Sequence, residues 1–560
     1  MENLNQPKEN QTGENLTRDK LNRFQGVANW LLKTTKSIVN KAQADISVIN
    51  FITIFAIGNA ILYHRLLFLF AANNLDYLSL NGVLTLSTLF VLVVFISALV
   101  LSIIALVAQR LVKPIGMLIV CGNAVALYFA QTYQVVLDRT IMGNVFNTNL
   151  QEATEFFHPK LIVYLLVYAV LPCLLLSRLH IRKVKFYKRF IYVFIVLFLG
   201  SGWSFANAKT WLWIDKNASK VGGMIMPWSY IVNSIRWYRG EYVMSSRPET
   251  LLPAAHFNEP GKTIVVLVIG ESARAQNFSL YGYPRLTNPL LAKAGVVVLP
   301  GATACSTYTT ASLECMLSHL GSHTSLMTLY EPLPSYLHRQ GVNVIWRSNN
   351  WGEPLIKTNL YQHADEIRNT CQDESCNYDE LVLHNLDQYL HSSTQDKTFV
   401  VLHQHGSHGP SYFKNYPSQF AAFKPVCNSV DLQKCTNEEL VNAYDNTILY
   451  TDYLLYRVIE LLKTFQLPTV MLYVSDHGES LGEYGLYLHG APYSIAPDAQ
   501  KKVPFIVWTS DEFKKQRGLD NHALAKGANY SQDNVFHSVM GALGMRSDIY
   551  NKRLDIFNPD

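Results

Sequence analysis

The sequence predicts a multidomain protein, in which a five-helix transmembrane domain precedes an exported domain of α/β/α architecture. Three observations support this prediction. Long apolar blocks crowd into the first 210 of 560 residues, and the rest alternates between strand-like and helix-like patterns. In addition, six of the eight cysteines lie in the second half, as expected of a segment that folds in an oxidising compartment.

The N-terminal region contains five apolar blocks that approach the roughly 20 residues needed to span a bilayer. They cover about 46–70, 82–108, 115–137, 160–177 and 190–207, giving a transmembrane domain over 46–207. Buried core helices are the alternative, but runs such as Leu89 to Ala108 have no charged face. The polar residues 1–45 have no cleavage site after an apolar core, so we expect a cytoplasmic tail rather than a signal peptide.

Basic residues orient the predicted spans. They lie before the first span, between the second and third, and between the fourth and fifth: Lys33, Lys36 and Lys41; Arg110 and Lys113; Arg178, Arg182, Lys183, Lys185, Lys188 and Arg189. Loop 72–79 has no Lys or Arg. The positive-inside rule therefore places the three basic segments in the cytoplasm and everything after residue 207 outside, which is the periplasm in a bacterium.

The cysteines test this orientation independently. Cys121 and Cys173 lie within predicted spans, whereas the other six form three close sequence pairs: Cys305 and Cys315, Cys371 and Cys376, Cys427 and Cys435. We predict a disulfide within each pair. Fifteen connectivities are formally open, and a structural zinc site is the competing interpretation, although no Cys-x-x-Cys pattern supports it.

Residues 208–260 should connect the two domains. Aromatic and basic residues alternate up to about residue 245, which favours short helices at the membrane interface, with a packed interdomain helix as the alternative. Pro248, Pro253 and Pro260 then indicate a linker before a soluble domain over 261–560. The net charge of +5 is too modest to indicate a nucleic-acid partner.

Two predicted strands end in residues that can hold a metal. The β-branched run Thr263 to Ile269 is followed by Glu271, and Met471 to Tyr473 precede Asp476 and His477. Further strands are expected at 342–346 and 399–403, with a helix over 437–464, which predicts a mainly parallel sheet. Because such sheets bind ligands at the carboxyl ends of their strands, Glu271 could meet the Asp-His pair, whose donors suit Zn²⁺. A capped turn is the alternative.

Small hydroxyl residues over 305–312 precede an apolar helical pattern at 313–320, which predicts a helix N-terminus. Free N–H groups and the helix dipole favour a phosphate there. A threonine hydroxyl becomes a nucleophile once a metal or a base activates it. An ordinary N-cap is the other interpretation.

Six ordered motifs resemble the bacterial phosphoethanolamine transferases that modify lipid A, a family that includes polymyxin-resistance enzymes. The motifs are Gly270-Glu271-Ser272-Ala273-Arg274, Tyr281-Gly282-Tyr283-Pro284-Arg285, Cys305-x9-Cys315 around Thr309, Gly406-Ser407-His408-Gly409-Pro410, Ser475-Asp476-His477-Gly478-Glu479-Ser480 and Leu488-His489-Gly490. The resemblance covers almost the whole chain, including the anchor. It implies an alkaline-phosphatase-like, sulfatase-like catalytic domain.

The resemblance also implies a site. It assigns one Zn²⁺ to four residues: Glu271, Thr309, Asp476 and His477. Thr309 stands four residues after Cys305, where the family has its nucleophile, and is preferred over Thr307 and Thr310. His408 and His489 match histidines that bind a second zinc or the donor phosphate, whereas His403 and His405 are interpreted as structural.

The implied reaction is a ping-pong transfer. Thr309 takes phosphoethanolamine from phosphatidylethanolamine, and an acceptor, a lipid A phosphate, then receives it. Such a product masks negative charge and weakens binding of cationic peptides. We expect a monomer in the inner membrane of a Gram-negative bacterium. Asn144, Thr148 and Glu152 are spaced four apart and resemble residues that line the family's lipid cavity, with a solvated helix face as the alternative.

Two departures from the family bear on the acceptor. The segment Arg347 to Pro354 lacks the lysine that relatives place near the donor head group, unless Lys357 replaces it, and Glu314 stands where many relatives have proline. A core sugar, heptose or Kdo, is therefore an alternative acceptor. A phosphoglycerol transferase and a membrane-anchored binding or sensor protein are the other classes, whereas the Cys/Ser-x-Pro-x-Arg motif of sulfatases is absent.

Overall fold

The computed structural model describes residues 44–148, 153, 154, 156–245, 248–324, 328–519, 524 and 529–558. The tail predicted over 1–45 lies almost entirely outside these residues. The chain divides into two compact units, each formed by two stretches of sequence. The first contains the chain up to Val125 together with Ile162–Ala218, and the second contains Ala126–Leu161 and Ser219–Asp560.

The N-terminal 206 residues contain helices in each of the five predicted spans. In chain order the elements are β1 (Ala44–Ser47), α1 (Val48–Tyr63), α2 (Arg65–Asn73), α3 (Leu80–Ala108), α4 (Val112–Tyr133), α5 (Arg139–Asn147), α6 (Pro159–Leu165), a π-helical turn (Leu166–Val170), α7 (Leu171–Ser177), β2 (Leu179–Arg182) and α8 (Phe186–Ala206).

Three helical stretches of the described residues are long and apolar enough to cross a membrane, or four if the pair α1 and α2, bent by 59°, is one span. One of the three, Leu80–Tyr133, has 54 residues and contains both α3 and α4. A straight helix of that length would measure roughly 80 Å, far more than a bilayer core of about 30 Å. Ala108, with φ −146° and ψ 80°, interrupts it. The count of five crossings stays a prediction.

The membrane-type helices pack through small and aliphatic side chains. Phe51 and Phe55 of α1 share one buried cluster with Leu101 of α3 and Ile119 of α4. Gly116 of α4 allows the close approach, since a Cβ there would lie 3.1 Å from the ring of Phe55. Most aliphatic side chains of α7 and α8 are exposed, as expected of surfaces that face lipid.

Three helices occupy the predicted interfacial stretch: α9 (Thr210–Lys216), α10 (Ala218–Met224) and α11 (Trp228–Ser245). Within the second unit α11 packs against α5, where the ring of Phe146 lies 5.0 Å from that of Trp237 and 4.7 Å from that of Tyr238. Their position at a membrane surface stays a prediction.

The C-terminal half is built on a seven-stranded sheet in the order β5-β12-β9-β4-β8-β6-β7. Its strands are β4 (Thr263–Gly270), β5 (Val297–Val298), β6 (Asn343–Ser348), β7 (Leu360–His363), β8 (Lys397–His403), β9 (Thr469–Ser475) and β12 (Phe505–Thr509). Strands β9, β4, β8, β6 and β7 are parallel, whereas β12 pairs antiparallel with β9 and β5. The predicted mainly parallel sheet is therefore confirmed.

Helices and short strand pairs complete this half. They are β3 (His256–Phe257), α12 (Pro289–Ala294), α13 (Thr309–Met316), α14 (Leu333–Arg339), α15 (Ala364–Arg368), α16 (Leu386–His391), α17 (Asn437–Lys463), β10 (Ser480–Leu481), β11 (Tyr487–Leu488), α18 (Asp498–Lys501), α19 (Asp511–Arg517), α20 (Asp533–Ala542) and β13 (Met545–Arg546). The long helix α17 begins with a capping box between Thr436 and Glu439. Disulfides join Cys305 to Cys315, Cys371 to Cys376 and Cys427 to Cys435, the same three pairs that the sequence suggests.

Candidate active site

Two neighbouring strands deliver the central carboxylates. Gly270 at the end of β4 pairs with Ser475 at the end of β9, and the amide of Asp476 donates to the carbonyl oxygen of Gly270 over 2.9 Å. Glu271 and Asp476 thus leave adjacent strands at the same edge of the sheet, as the sequence predicts. Both side chains are buried.

Four side-chain donors converge at this edge. The Nε2 atom of His477 lies 3.2 Å from Oδ2 of Asp476, 3.4 Å from Oε1 of Glu271 and 3.3 Å from Oγ1 of Thr309. The Thr309 hydroxyl also donates to Oε2 of Glu271 over 3.1 Å. Every residue of the predicted zinc set is therefore present in one cluster.

The hydrogen bonds around the cluster leave the Nε2 lone pair of His477 and one oxygen of Asp476 facing its centre. His477 directs Nδ1 at the carbonyl oxygen of Gly478, 2.9 Å away, so its proton is on Nδ1 and Nε2 carries the lone pair. Burial, with His489 nearby, lowers the pKa of His477 to about 4, which keeps the ring neutral. Burial and the adjacent Glu271 carboxylate raise the pKa of Asp476, whose Oδ2 atom has no hydrogen-bond partner among the described residues.

This donor set fits a cation. Two buried carboxylates and an imidazole lone pair within 4.8 Å of one another would repel without a positive charge between them. One nitrogen and several oxygens in a small buried space match Zn²⁺, which prefers four ligands of this kind. Backbone amides of Ser272 and His477 hold the other oxygen of Asp476, at 3.1 and 2.6 Å, and thereby orient the carboxylate.

Thr309 is the first residue of α13, as the sequence suggests. The disulfide between Cys305 and Cys315 brackets this helix start. Thr309 Oγ1 thus lies both beside the candidate metal site and at a helix N-terminus, where a phosphate is favoured. Gly352, with φ +99°, packs against this helix start, where a Cβ would lie 3.2 Å from Cγ2 of Thr310 and 3.4 Å from Cγ2 of Thr309.

A second group of donors adjoins the first. Donor atoms of Glu271, His408 and His489 also lie within 4.8 Å of one another, and the rings of His477 and His489 are 4.3 Å apart. Burial lowers the pKa of His408 to about 3, and its Nδ1 atom has no partner among the described residues. The His408 ring is therefore neutral at neutral pH and can offer a lone pair to a cation.

Sequence reasoning missed three residues that support these groups. Asn350 donates to Oε2 of Glu271 over 2.8 Å. Glu479 accepts from His489 Nδ1 at 2.8 Å and from the hydroxyl of Tyr412 at 2.5 Å. Glu479 lies inside the quoted Asp-His motif, so its position in the sequence was the available signal. Asn350 lies in the segment Arg347 to Pro354, which was compared with relatives only for its missing lysine, and Tyr412, on the loop after β8, gave no signal.

Comparison with known proteins places this site in a family. Residues 263–545 match the sulfatase family model, and residues 93–242 match the model described as phosphoethanolamine transferase EptA/EptB. Phosphoethanolamine transferase EptA of Helicobacter pylori is 37% identical over 505 residues, covering 89% of this chain and 94% of that protein. The chain belongs to the phosphoethanolamine transferase family.

Two further similarities extend over both units. Phosphatidylethanolamine transferase Mcr-1 of Escherichia coli is 34% identical over 440 residues, 73% of this chain and 80% of that protein. The integral membrane lipooligosaccharide phosphoethanolamine transferase A of Neisseria meningitidis superposes with a TM-score of 0.82 at 29% identity, covering 92% of this chain and 98% of that one. The fold prediction, membrane helices followed by a sulfatase-like domain, is thus confirmed.

The three residues expected to line a phosphoethanolamine transferase's lipid cavity differ in where they lie. A Cβ at Gly490 would lie 3.2 Å from Nδ2 of Asn144, so α5 approaches the loop that carries His489. The Thr148 hydroxyl instead donates to the carbonyl oxygen of Asn144 over 2.7 Å and ends α5. Glu152 lies outside the described residues, and the cavity itself stays a prediction.

The two departures from other phosphoethanolamine transferases are also visible. Lys357 is exposed and lies 3.4 Å from Oε2 of Glu249, so its ammonium is paired with that carboxylate. Glu314 is exposed on α13. His403, interpreted as structural, is buried at the end of β8 beside the Ser348 hydroxyl, at 3.2 Å.

Proposed function

We propose that the protein transfers phosphoethanolamine from phosphatidylethanolamine to a phosphate of lipid A, through a phosphoethanolamine–Thr309 intermediate. The observation that carries this proposal is the position of Thr309 Oγ1, 3.1 Å from Glu271 and 3.3 Å from His477 at the start of a helix. The names of similar proteins, a phosphatidylethanolamine transferase and a lipooligosaccharide phosphoethanolamine transferase, support the donor and the class of acceptor.

Glu271, Thr309, Asp476 and His477 would hold one Zn²⁺, and His408 with His489 a second ion or the phosphate. When bound, zinc lowers the pKa of the Thr309 hydroxyl and neutralises charge on the phosphoryl oxygens. These are the roles that the donor set fits; the number of ions is open to measurement.

The chain's own residues then account for both half-reactions. Glu271 accepts the proton of Thr309, to which it is already hydrogen-bonded, and the oxygen attacks the donor phosphorus. The bond from phosphorus to the diacylglycerol oxygen breaks, and this oxygen takes a proton from His489. In the second half-reaction His489 takes the proton of the acceptor phosphate hydroxyl, whose oxygen attacks the same phosphorus. The bond from phosphorus to Thr309 Oγ1 breaks, and Glu271 returns its proton to Thr309.

We further propose five crossings with the N-terminus in the cytoplasm and the catalytic half in the periplasm. Three segments predicted to be cytoplasmic meet at one end of the helices: β1 pairs with β2, and Lys113 Nζ donates to the carbonyl oxygen of Leu179 over 2.8 Å. The three disulfides are consistent with an oxidising compartment for the other half.

Mass spectrometry of lipid A and core oligosaccharide tests the reaction. A Gram-negative host would express the chain, its Thr309→Ala variant or the neighbouring control Thr310→Ala. We expect a phosphoethanolamine mass gain on lipid A with the native chain and the control, and none with Thr309→Ala. A gain on core sugar alone would replace the acceptor, and no gain from a well-expressed native chain would refute the transferase.

A further inference from the structure

The end of the helices where three predicted cytoplasmic segments meet contains a basic cavity. The backbone amide of Val184 donates to Oε1 of Gln109 over 3.0 Å, which ties the segment after β2 to the connection between α3 and α4. The cavity between them has a volume of about 270 Å³. Its walls are Gln109, Arg110, Lys113, Leu179, His180, Ile181 and Lys183.

The cations of this cavity are not neutralised by carboxylates. Across the described part of the chain, the side chains of Arg110 and Lys183 have neither a hydrogen bond nor an ion pair. Lys113 donates to the carbonyl oxygens of Ser177 and Leu179, at 2.9 and 2.8 Å, so one of its three N–H bonds is left for another acceptor. A nearby acid, Asp45, is 4.0 Å from Arg182 in a pair that is more than half exposed and therefore weak.

The cavity is also bounded by apolar surface. Leu179 and Ile181 form part of its wall, and Val107 and Leu111, at the end of α3 and just after it, are 87% and 50% exposed. Exposed aliphatic side chains beside a basic cavity suit a ligand that joins an anion to acyl chains. A soluble anion has no apolar part that could contact these side chains.

We propose that this cavity binds the phosphate of an anionic glycerophospholipid of the cytoplasmic leaflet, of the phosphatidylglycerol class. The planar fork of Arg110 can donate two hydrogen bonds to one phosphodiester, and Lys113 and Lys183 add point charges. Basic pockets between membrane helices on the cytoplasmic side bind lipid head groups in this way. The volume accommodates a head group, while the acyl chains lie along the neighbouring apolar surface. The inference does not depend on the transferase reaction.

Lipid retention by the full-length protein tests the proposal. The protein would be purified in detergent micelles that contain equal amounts of phosphatidylglycerol and phosphatidylcholine, and bound lipid would be counted by native mass spectrometry. We expect the native chain to prefer phosphatidylglycerol, and the double variant R110Q/K183Q to reduce that preference by about tenfold. The matched control K185Q/K188Q removes the same number of charges between β2 and the first turn of α8, at residues that do not line the cavity.

Further variants test whether incorrect membrane insertion of the helices, rather than loss of lipid binding, explains the result. The double variant R110K/K183R conserves both charges and should keep the preference. The single change Lys183→Gln leaves five basic residues in its loop to orient the helices, and should reduce the preference by about threefold. An equal loss in K185Q/K188Q, or no preference in the native chain, would overturn the proposal. Displacement of phosphatidylglycerol by submillimolar inorganic phosphate would also overturn it, because the site would then bind the free anion.

Discussion

The imidazole of His477 donates its Nδ1 proton to the carbonyl oxygen of Gly478, the next residue in the chain, over 2.9 Å. A carbonyl oxygen can only accept, so this bond fixes the tautomer. The lone pair of Nε2 then faces Asp476, Glu271 and Thr309. The backbone turn after β9 thus orients His477 for the proposed role of metal ligand.

This geometry predicts that His477→Gln loses most of its zinc. Glutamine lacks a nitrogen lone pair at this position, so the site keeps its negative oxygens but loses its nitrogen ligand. We expect zinc per protein, measured by inductively coupled plasma mass spectrometry after dialysis, to fall at least about tenfold. His403→Gln is the matched control, because His403 is equally buried at the end of β8 but faces Ser348. Equal zinc loss in both variants would contradict the assignment.

A second prediction concerns Glu479, which positions His489 without belonging to the first donor cluster. Its carboxylate accepts from His489 Nδ1 and from the Tyr412 hydroxyl. Glu479→Gln replaces the carboxylate that accepts from His489 with an amide, so the ring is held less firmly, and we expect kcat to fall by about 10- to 100-fold. The pH profile of kcat should change as well, because the variant removes a carboxyl group whose pKa is raised by burial.

Tyr412→Phe provides the control for Glu479. It removes a hydrogen bond from the same carboxylate but leaves the charge beside His489, so the loss of kcat should be smaller and the pH profile unchanged. A loss of zinc from Glu479→Gln, with no change in the pH profile, would show instead that Glu479 acts through the metal site.

The sequence predicted the parts of this site that depend on strand ends. Glu271 and Asp476 follow two apolar runs, and parallel strands carry such residues to one edge. Asn350 could not be predicted in the same way. Asn350 follows β6, which is separated from β4 by β8, and it contacts Glu271 across that distance. Such a contact depends on the order of the strands in the sheet, which does not follow from periodicity. The bend of 59° between α1 and α2 was also missed, because hydropathy shows the length of an apolar segment and not a change in its direction.

A third prediction concerns the disulfide loop over residues 427–435. Asp431 in this loop is 1% exposed and accepts from Lys160 Nζ at 3.1 Å, while Gln433 donates to the carbonyl oxygens of Gln131 and Thr132. Lys160→Met would leave a buried carboxylate whose remaining ion-pair partner among the described residues is the more exposed Lys434, 3.8 Å away. We expect the free energy of unfolding to fall by about 2 kcal/mol, followed by tryptophan fluorescence in urea.

Two comparisons isolate the Lys160–Asp431 pair. The double variant K160M/D431N should lose less than the sum of its single changes, because the charge left unpaired by the first is removed by the second. Lys463→Met, which breaks an exposed pair with Glu460, should change stability by less than about 0.5 kcal/mol. Strict additivity of the first two changes would show that the pair contributes nothing.

The last prediction follows from His537 on α20, which is 2% exposed. The backbone amide of Asn551 donates to its Nδ1 over 3.2 Å, and its Nε2 donates to the carbonyl oxygen of His319 over 3.0 Å. The bond that Nδ1 accepts requires the neutral ring, and burial lowers the pKa of His537 below the ordinary value of 6.5. The unfolded chain takes up a proton on His537 near pH 6.5, and the folded chain resists it. The contribution of the neutral ring to the free energy of unfolding is therefore fully present above that pH and is lost as the pH falls below it.

Urea unfolding at pH 7.5 and 5.5 tests this effect. The free energy of unfolding of the native chain should fall by up to about 1.4 kcal/mol per pH unit from this residue, and that of His537→Gln should fall by less. The control His256→Gln, at an exposed position on β3, should lose as much stability between the two pH values as the native chain. An unchanged pH dependence in His537→Gln would assign the acid sensitivity to other buried histidines.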